Sequence, residues 1–569
     1  MGVPSVIDLG TLDPAQRAAV ESIGGPVAIL AGAGTGKTRT LTYRIAHGIE
    51  TGRVTGSRTM VLTFTTRAAG ELRSRLRALG AGDVQARTFH SAALAQLSFF
   101  WPQVVGGAPP RIVESKAQLI AEAAASIGVR TDQAMIRDIA AEIEWRKVSD
   151  LSIEDWAASG RRVAGVADRD VVRIQQIYED LKDDRRRLDL EDVLLATAGM
   201  LASERGVLRA VRDQYRTFII DEYQDVSPIQ HRLLSLWVGD RRDVCVVGDA
   251  NQTIYSFAGA TSDYLLRFQR EYPGAEVFTL DRSYRSTPRI IDVANRIVKG
   301  QRGAVVLQPG AANPEPGDPV ELRAHPTERA EALAIAEAVK ADLAAGIPSD
   351  QIAILVRLNS QVPIIEAALQ AASVAVTVRG DARFWEQPHV REAVVHLVAA
   401  RRMIDPSQRT ADAVRGILSG LGWVAGQPDP NLPAAARERW AALDAIYQMA
   451  HVEYPYGRFI DELLERQSRG DDPVGGDVTV ATIHSAKGLE WDSVHVAGLS
   501  EGLLPVSYAT SPQEIQEELR LFYVAVTRAR RRLRLSWARR GVASGPERER
   551  SRFLQAIEDL TSSSPQSTS

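Results

Sequence analysis

Pro26-Val27-Ala28-Ile29-Leu30-Ala31-Gly32-Ala33-Gly34-Thr35-Gly36-Lys37-Thr38 runs from an unbroken apolar stretch into a glycine-rich turn that closes on Gly-Lys-Thr. A short apolar run before such a turn reads as a buried strand, and the residues after Thr38 read as a helix. This is the phosphate-loop arrangement. Its glycines let backbone N–H groups curl around phosphate oxygens at a helix N-terminus. Lys37 is placed to reach the β- and γ-phosphates, and the Thr38 hydroxyl suits Mg²⁺. Ala31 stands where the pattern has glycine. The loop Ala31, Gly32, Ala33, Gly34, Thr35, Gly36, Lys37, Thr38 is therefore the candidate nucleotide cradle.

Outward from this loop, further apolar runs alternate with helical stretches, which predicts parallel α/β units. Met60-Val61-Leu62, Thr217-Phe218-Ile219-Ile220 and Val244-Cys245-Val246-Val247 form a first set. Ile352 to Val356, Val478 to Ile483 and Val494 to Ala497 form a second, and Leu533-Arg534-Leu535-Ser536-Trp537 alternates as a half-exposed strand does. Residues 114–188 and 386–473 read as helical. The fold class is α/β: two P-loop-type lobes with parallel sheets, each interrupted by a mainly helical insertion. Asp221-Glu222 ends one predicted strand, where a carboxylate faces the ligand crevice. Asp221 suits the Mg²⁺ shell, and Glu222 suits orientation or deprotonation of an attacking water. Together with the phosphate loop, this pair points to nucleoside triphosphate hydrolysis but not to what the hydrolysis drives.

The 569 residues carry 68 basic and 71 acidic side chains, a formal charge of −3, with 45% apolar and 24% charged residues. That composition excludes collagen, coiled-coil rod and wholly disordered classes. The lone Cys245 excludes an intrachain disulfide or a multi-cysteine zinc site. No apolar run approaches the ~18 residues that span a bilayer, and the N-terminal stretch lacks the form of a signal peptide. The expected location is cytoplasmic. The balanced charge argues against an all-over basic coat but leaves room for a basic groove.

Asp221-Glu222-Tyr223-Gln224-Asp225 resembles motif II of the UvrD/Rep/PcrA group of superfamily-one DNA helicases. Other segments resemble that group's motifs in its order: Leu12 to Arg17 the Q motif, Thr63 to Ala69 motif Ia, Thr88-Phe89-His90-Ser91 motif Ib, Val247 to Phe257 motif III, Leu280 to Ser286 motif IV, Ala481 to Trp491 motif V and Glu518 to Ala529 motif VI. The resemblance implies ATP and Mg²⁺ as cofactors and single-stranded DNA and single-strand/duplex junctions as partners. It implies that Gln16 reads the adenine edge, Tyr284 stacks on the adenine and Glu490 binds the ribose. Gln252 would sense the γ-phosphate, Arg39 would contact phosphate, and Arg285 and Arg528 would be arginine fingers that tie hydrolysis to lobe closure. Phe64, Thr88, His90, Tyr255 and Phe257 would contact the strand. Asp189 and Asp192 resemble a minor motif of the group.

By the same resemblance, residues 1–95 and 190–275 form the ATP-binding lobe and 96–189 its helical insertion. Residues 276–385 and 474–556 form the second lobe, 386–473 a shortened second insertion, and 557–569 a disordered tail. Trp423 and Trp440 are expected core anchors of that insertion, and Phe384-Trp385 marks its entry. Two departures stand out: Ala258-Gly259 where the group usually carries arginine before the glycine, and the brevity of the second insertion. The implied activity is ATP-dependent 3′→5′ translocation and DNA unwinding in repair or replication. The alternatives are a translocase that displaces proteins and an ATP-gated DNA clamp. The arginine runs 185–187 and 530–532 are either phosphate contacts or solvated faces.

Overall fold

The computed structural model describes residues 7–311, 315–379, 385, 388–401, 403–405, 408–424, 434–450, 455–469 and 477–562. They fall into two compact units, residues 1–282 with 300–306 and residues 283–299 with 307–569.

The first unit is built on a six-stranded parallel sheet. Its strand order is Gln85–Thr88, Thr59–Thr63, Thr217–Ile220, Val244–Gly248, Val27–Ala31, Glu276–Leu280. Successive side chains of a strand leave on opposite faces, and here both faces are apolar. Ala28, Met60, Leu62, Phe218, Ile220, Val244 and Val246 join one core cluster, whereas Val27, Ile29, Val61, Ile219, Cys245 and Val247 join the other. Burial on both faces explains why these strands read as continuous apolar runs rather than as alternations. Cys245 is a buried thiol in that second layer, and burial pushes its pKa up.

Two sequence-derived boundaries move. Strand Glu276–Leu280, expected to open the second lobe, pairs in register with Val27–Ala31 and closes the first sheet. Helix Phe89–Val104, cut at residue 95 by the expected boundary, is continuous and packs into the first unit's core through Phe89, Ala93, Leu97 and Phe100. The insertion proper has its own core around Ile120, Ile139, Ile143, Trp156, Ile174 and Tyr178.

The second unit carries a seven-stranded sheet in the order Val376–Arg379, Val478–Thr482, Ile352–Val356, Trp491–Val496, Ala529–Ala538, Val320–His325, Thr561–Ser562, again with parallel pairing. The expected disordered tail is ordered over its first part: residues 557–560 belong to the 3₁₀ segment Arg552–Leu560, and Thr561–Ser562 pairs with Val320–Glu321. Burial of Phe553, Leu554 and Ile557 anchors that segment. Residues 563–569 lie outside the described residues, as do Phe384 and the loop 426–430. The helices Pro388–Ala400, Thr410–Gly420, Ala434–Met449 and Tyr456–Arg469 enclose a separate core that contains Trp385, Trp423, Tyr447 and Phe459. Trp423 is a buried anchor as expected. Trp440 is half-buried at its edge and donates its indole N–H to the Val424 carbonyl at 2.9 Å. No helix among the described residues is long and apolar enough to cross a membrane.

Candidate functional site

In the first unit, the register of the parallel sheet brings the phosphate loop, Phe64, Thr88, Asp221 and Asp249 to the same carboxyl edge. Each follows or ends one of the parallel strands. Ligand crevices of open α/β sheets lie along that edge. Ala31 is the last residue of its strand and pairs with Leu280, so it needs no left-handed backbone and alanine is tolerated there. Gly34 and Gly36 sit at φ +74° and +80°, a region that costs side-chain-bearing residues energy. A Cβ on Gly36 would also lie 2.8 Å from Gln16 Nε2. Gln16 is buried by a capping box with Asp13, and its amide donates to the Thr35 carbonyl at 2.9 Å. It therefore braces the loop from below, in addition to any role with a base. The Thr35 hydroxyl donates to the Gly32 carbonyl at 2.9 Å. Helix Lys37–Glu50 starts without a side-chain cap, so its first N–H groups remain open to an anion.

Lys37 Nζ is buried and has no hydrogen-bond partner; its ion partner is Glu222 Oε1 at 3.5 Å. A buried ammonium held by one long ion pair is a strong site for a phosphate oxygen. Burial, with Glu222 alongside, pushes the Asp221 carboxyl up to about 7 despite the pull of Lys37. Burial likewise raises the Asp249 carboxyl, against Lys37 and a hydrogen bond from Gln252. Carboxylates short of positive charge fit a divalent cation. Thr38 and Asp221 would supply two protein ligands, and Mg²⁺ takes its others from phosphate oxygens and water. Gln252 is buried and donates Nε2 to Asp249 Oδ2 at 2.8 Å. Arg39 points outward: it donates to the Thr11 hydroxyl at 2.8 Å and its guanidinium lies 5.4 Å from the Tyr43 ring centre.

The second unit gathers the other candidates. Arg285 donates Nε to Glu490 Oε2 at 2.5 Å and Nη1 to the Thr527 carbonyl at 3.0 Å. Glu490 Oε1 accepts from Arg530 Nη2 at 2.6 Å. Burial alone would raise the Glu490 carboxyl, but Arg285 and Arg530 outweigh it and hold the pKa low. Arg528 is 1% exposed; it donates to the carbonyls of Val524 at 2.9 Å and Leu489 at 3.1 Å and to the Thr527 hydroxyl. Leu521, Phe522, Val524, Ala525 and Val526 of its helix are buried and fix that position. Gly310 lets Tyr284 lie against the backbone, because a Cβ there would come 2.7 Å from the ring.

Residues 12–273 match the model of the UvrD/REP helicase N-terminal domain, and residues 278–410 and 457–540 match that of the UvrD-like helicase C-terminal domain. The chain belongs to the UvrD/REP helicase family. It is 40% identical to the ATP-dependent DNA helicase UvrD2 of Mycobacterium tuberculosis, over 99% of this chain and 84% of that protein. It is 25% identical to the ATP-dependent DNA helicase PcrA of Bacillus subtilis, over 97% of this chain and 86% of the relative. It is 27% identical to DNA helicase II of Escherichia coli, over 93% and 85%.

In this UvrD-type chain the expected strand-contact residues divide by exposure. Phe257 is 62% exposed and meets Tyr255 edge-on at 6.2 Å. Burial, with Asp225 and Glu222 nearby, pushes the Tyr255 hydroxyl up to about 12. Phe64 is half-buried and packs against Phe89 at 6.4 Å, so it is partly a core residue. Thr88 caps helix Phe89–Val104 through a reciprocal pair with Ser91. Burial, then Lys116, lowers the pKa of His90.

Asp189 and Asp192 form a buried ion cluster rather than a metal site. Lys147 Nζ lies 2.6 Å from each, and Lys182 approaches both. The Arg530–Arg532 run is split: Arg530 and Arg532 are half-buried in ion pairs, Arg530 with Glu490 and Asp492 and Arg532 with Asp318 and Asp342, whereas Arg531 is exposed. Arg185 pairs with Glu122, and Arg186 donates to the Ala108 carbonyl. Gln224 is a site residue that pattern reading leaves unassigned. Its Nε2 donates to Glu222 Oε2 at 2.5 Å while its Oε1 accepts the Asp249 N–H at 3.0 Å, which ties motif II to motif III. Its place inside the Asp-Glu-Tyr-Gln-Asp motif was the only signal for it.

Proposed function

We propose that the protein is an ATP-dependent DNA helicase that moves 3′→5′ on single-stranded DNA and opens duplex at single-strand/duplex junctions, acting in the cytoplasm in DNA repair or replication. The observation that carries the reading is Lys37: a buried ammonium, opposite a carboxylate pair, beside an uncapped helix N-terminus. This arrangement suits a triphosphate, and the family supplies the link to DNA.

The polyphosphate lies along the N–H groups of residues 32–38, with Lys37 on its β- and γ-oxygens. Thr38 and Asp221 would hold Mg²⁺, which would supply positive charge for the phosphoryl oxygens. Glu222 orients the attacking water and takes its proton. Gln252, fixed by Asp249, senses the γ-phosphate. Arg285 and Arg528 provide further cations for the transferred group, and Glu490 changes partner from arginine to ribose. Tyr284 stacks on the adenine. Phe257 and Tyr255, with Phe64, Thr88 and His90, hold the strand. A base stacked on an aromatic ring contributes ~1–3 kcal/mol without regard to sequence. Opening a base-pair step costs ~1.4 kcal/mol, within the ~1–3 kcal/mol by which one ligand commonly changes affinity for another.

The test is unwinding of 3′-tailed against 5′-tailed duplexes with ATP and Mg²⁺, beside displacement of a protein roadblock from single strands. Opening of the 3′-tailed substrate alone supports the reading. Roadblock displacement without duplex opening would replace it with a protein-stripping translocase, and opening of the 5′-tailed substrate would overturn the polarity.

A further inference from the structure

Glu222 has φ +52° and ψ +42°. A residue other than glycine in this left-handed region carries ~1–2 kcal/mol of strain, so its surroundings must hold it. Its side chain is held by Gln224. Its backbone is followed at once by Tyr223, which is wholly buried and opens the 3₁₀ turn Tyr223–Asp225. The Tyr223 ring meets Phe268 edge-on at 6.3 Å, and its hydroxyl lies 3.1 Å from His231 Nδ1. The other ring nitrogen of His231, Nε2, lies 3.2 Å from Glu271 Oε1. The imidazole stacks on Tyr264 at 3.8 Å with only 10° between the planes.

For the singly protonated ring, this geometry assigns the hydrogen. An ionised carboxylate only accepts, so Nε2 carries the hydrogen toward Glu271, and Nδ1 is left to accept the Tyr223 O–H. Glu271 therefore favours the tautomer in which Nδ1 accepts from Tyr223, and Tyr264 fixes the plane of the ring. Tyr264 and Glu271 lie on the short helices Asp263–Leu266 and Phe268–Glu271, which follow the Tyr255–Phe257 loop in the chain. His231 lies on helix Pro228–Val238, which follows the Tyr223–Asp225 turn. The chain Glu271–His231–Tyr223 thus joins the segment after the strand-contact loop to the residue next to Glu222.

We infer that His231 is a positioning residue for Glu222, acting through Tyr223, and that it sets the rate of the hydrolytic step rather than the affinity for nucleotide. The inference rests on the reading of Glu222 as the group that orients the attacking water. His231 touches no reacting atom. It keeps the turn from relaxing, and misplacing a catalytic group by a fraction of an ångström is enough to slow the chemistry.

The experiment is steady-state ATP hydrolysis at saturating single-stranded DNA for the full chain and for His231→Ala, His231→Asn, Tyr223→Phe and the double variant His231→Ala/Tyr223→Phe, each checked for an intact thermal unfolding transition. His231→Ala and Tyr223→Phe should each lower kcat on the order of tenfold with KM for ATP within about twofold. The double variant should fall no further than the single ones, because both break one link. His231→Asn, whose Oδ1 takes the place of Nδ1 as acceptor, should recover most of the loss. Wild-type kcat in folded His231→Ala and Tyr223→Phe would overturn the inference, and so would multiplicative losses in the double variant or a rise in KM that accounts for the effect. If His231→Ala fails to fold, Tyr223→Phe, which removes one hydroxyl, decides alone. Absence of DNA-stimulated hydrolysis in the unmodified protein would instead refute the helicase reading.

Discussion

Replacing Lys147 by methionine tests how the insertion is fastened to the rest of the first unit. Lys147 is 1% exposed, and its Nζ lies 2.6 Å from Asp189, 2.6 Å from Asp192 and 3.0 Å from Glu179. Lys182 approaches the same three carboxylates, at 2.7 Å from Glu179 and 3.3 Å from Asp189. Methionine keeps most of the stem volume, so little cavity forms and the loss is electrostatic. It leaves three carboxylates, one of them fully buried, on Lys182 with help from Arg146 at Glu179. Removing one partner from a buried pair costs about 3–5 kcal/mol. For a first unit spanning residues 1–282 and 300–306, at ~2.1 cal/mol/K of unfolding entropy per residue, that is a fall of roughly 5–8 °C in the unfolding midpoint. Burial alone would raise the Asp189 and Glu179 carboxyls, but Lys147 and Lys182 outweigh it and hold both below the usual range. Groups depressed in the folded state contribute stability above their unfolded pKa of about 4, and that contribution is lost as pH falls through their folded values. Lys147→Met should therefore flatten the acid side of the stability profile as well as lower the midpoint. The assay is urea unfolding from pH 3 to pH 7, followed by circular dichroism. A loss under about 1 kcal/mol with an unchanged acid profile would refute the reasoning.

Lys37→Ala should abolish ATP turnover and leave single-strand binding largely intact; loss of both, measured side by side, would mean misfolding. Phe257→Ala should weaken single-strand affinity about 5–150-fold, the loss of one stacking platform, with its unfolding midpoint unchanged; unaltered affinity by fluorescence anisotropy would remove Phe257 from the strand path. Phe64→Ala should lower DNA-stimulated hydrolysis more than basal hydrolysis, and equal losses would assign Phe64 to the core alone. Gly310→Ala drives a methyl into Tyr284 and should raise KM for ATP about fivefold, or ~1 kcal/mol; an unchanged KM would separate Tyr284 from the adenine.

The central strands are legible in the sequence because they are buried on both faces and read as unbroken apolar runs. Edge strands are not. Gln85–Thr88 is Gln-Ala-Arg-Thr, a polar edge with no such run. Glu276–Leu280 is exposed along most of its length, and only its register with Val27–Ala31 assigns it to the first sheet. The candidate site divides in the same way. The phosphate loop and Asp221-Glu222 are local patterns whose chemistry follows from spacing. The bracing of the loop by Gln16, the Gln224–Asp249 link and the Glu271–His231–Tyr223 chain are partnerships between distant residues, and no local pattern encodes them. The partners of the charged residues are hidden for the same reason: Asp342, which takes up Arg532 and Arg534, is some 190 residues away from both.

The most direct test of the account is ATP hydrolysis by the purified protein with Mg²⁺, measured with and without single-stranded DNA. The account predicts a slow rate without DNA and a large stimulation by it, removed by Glu222→Gln and by Arg528→Ala. A rate that single-stranded DNA leaves unchanged would contradict it.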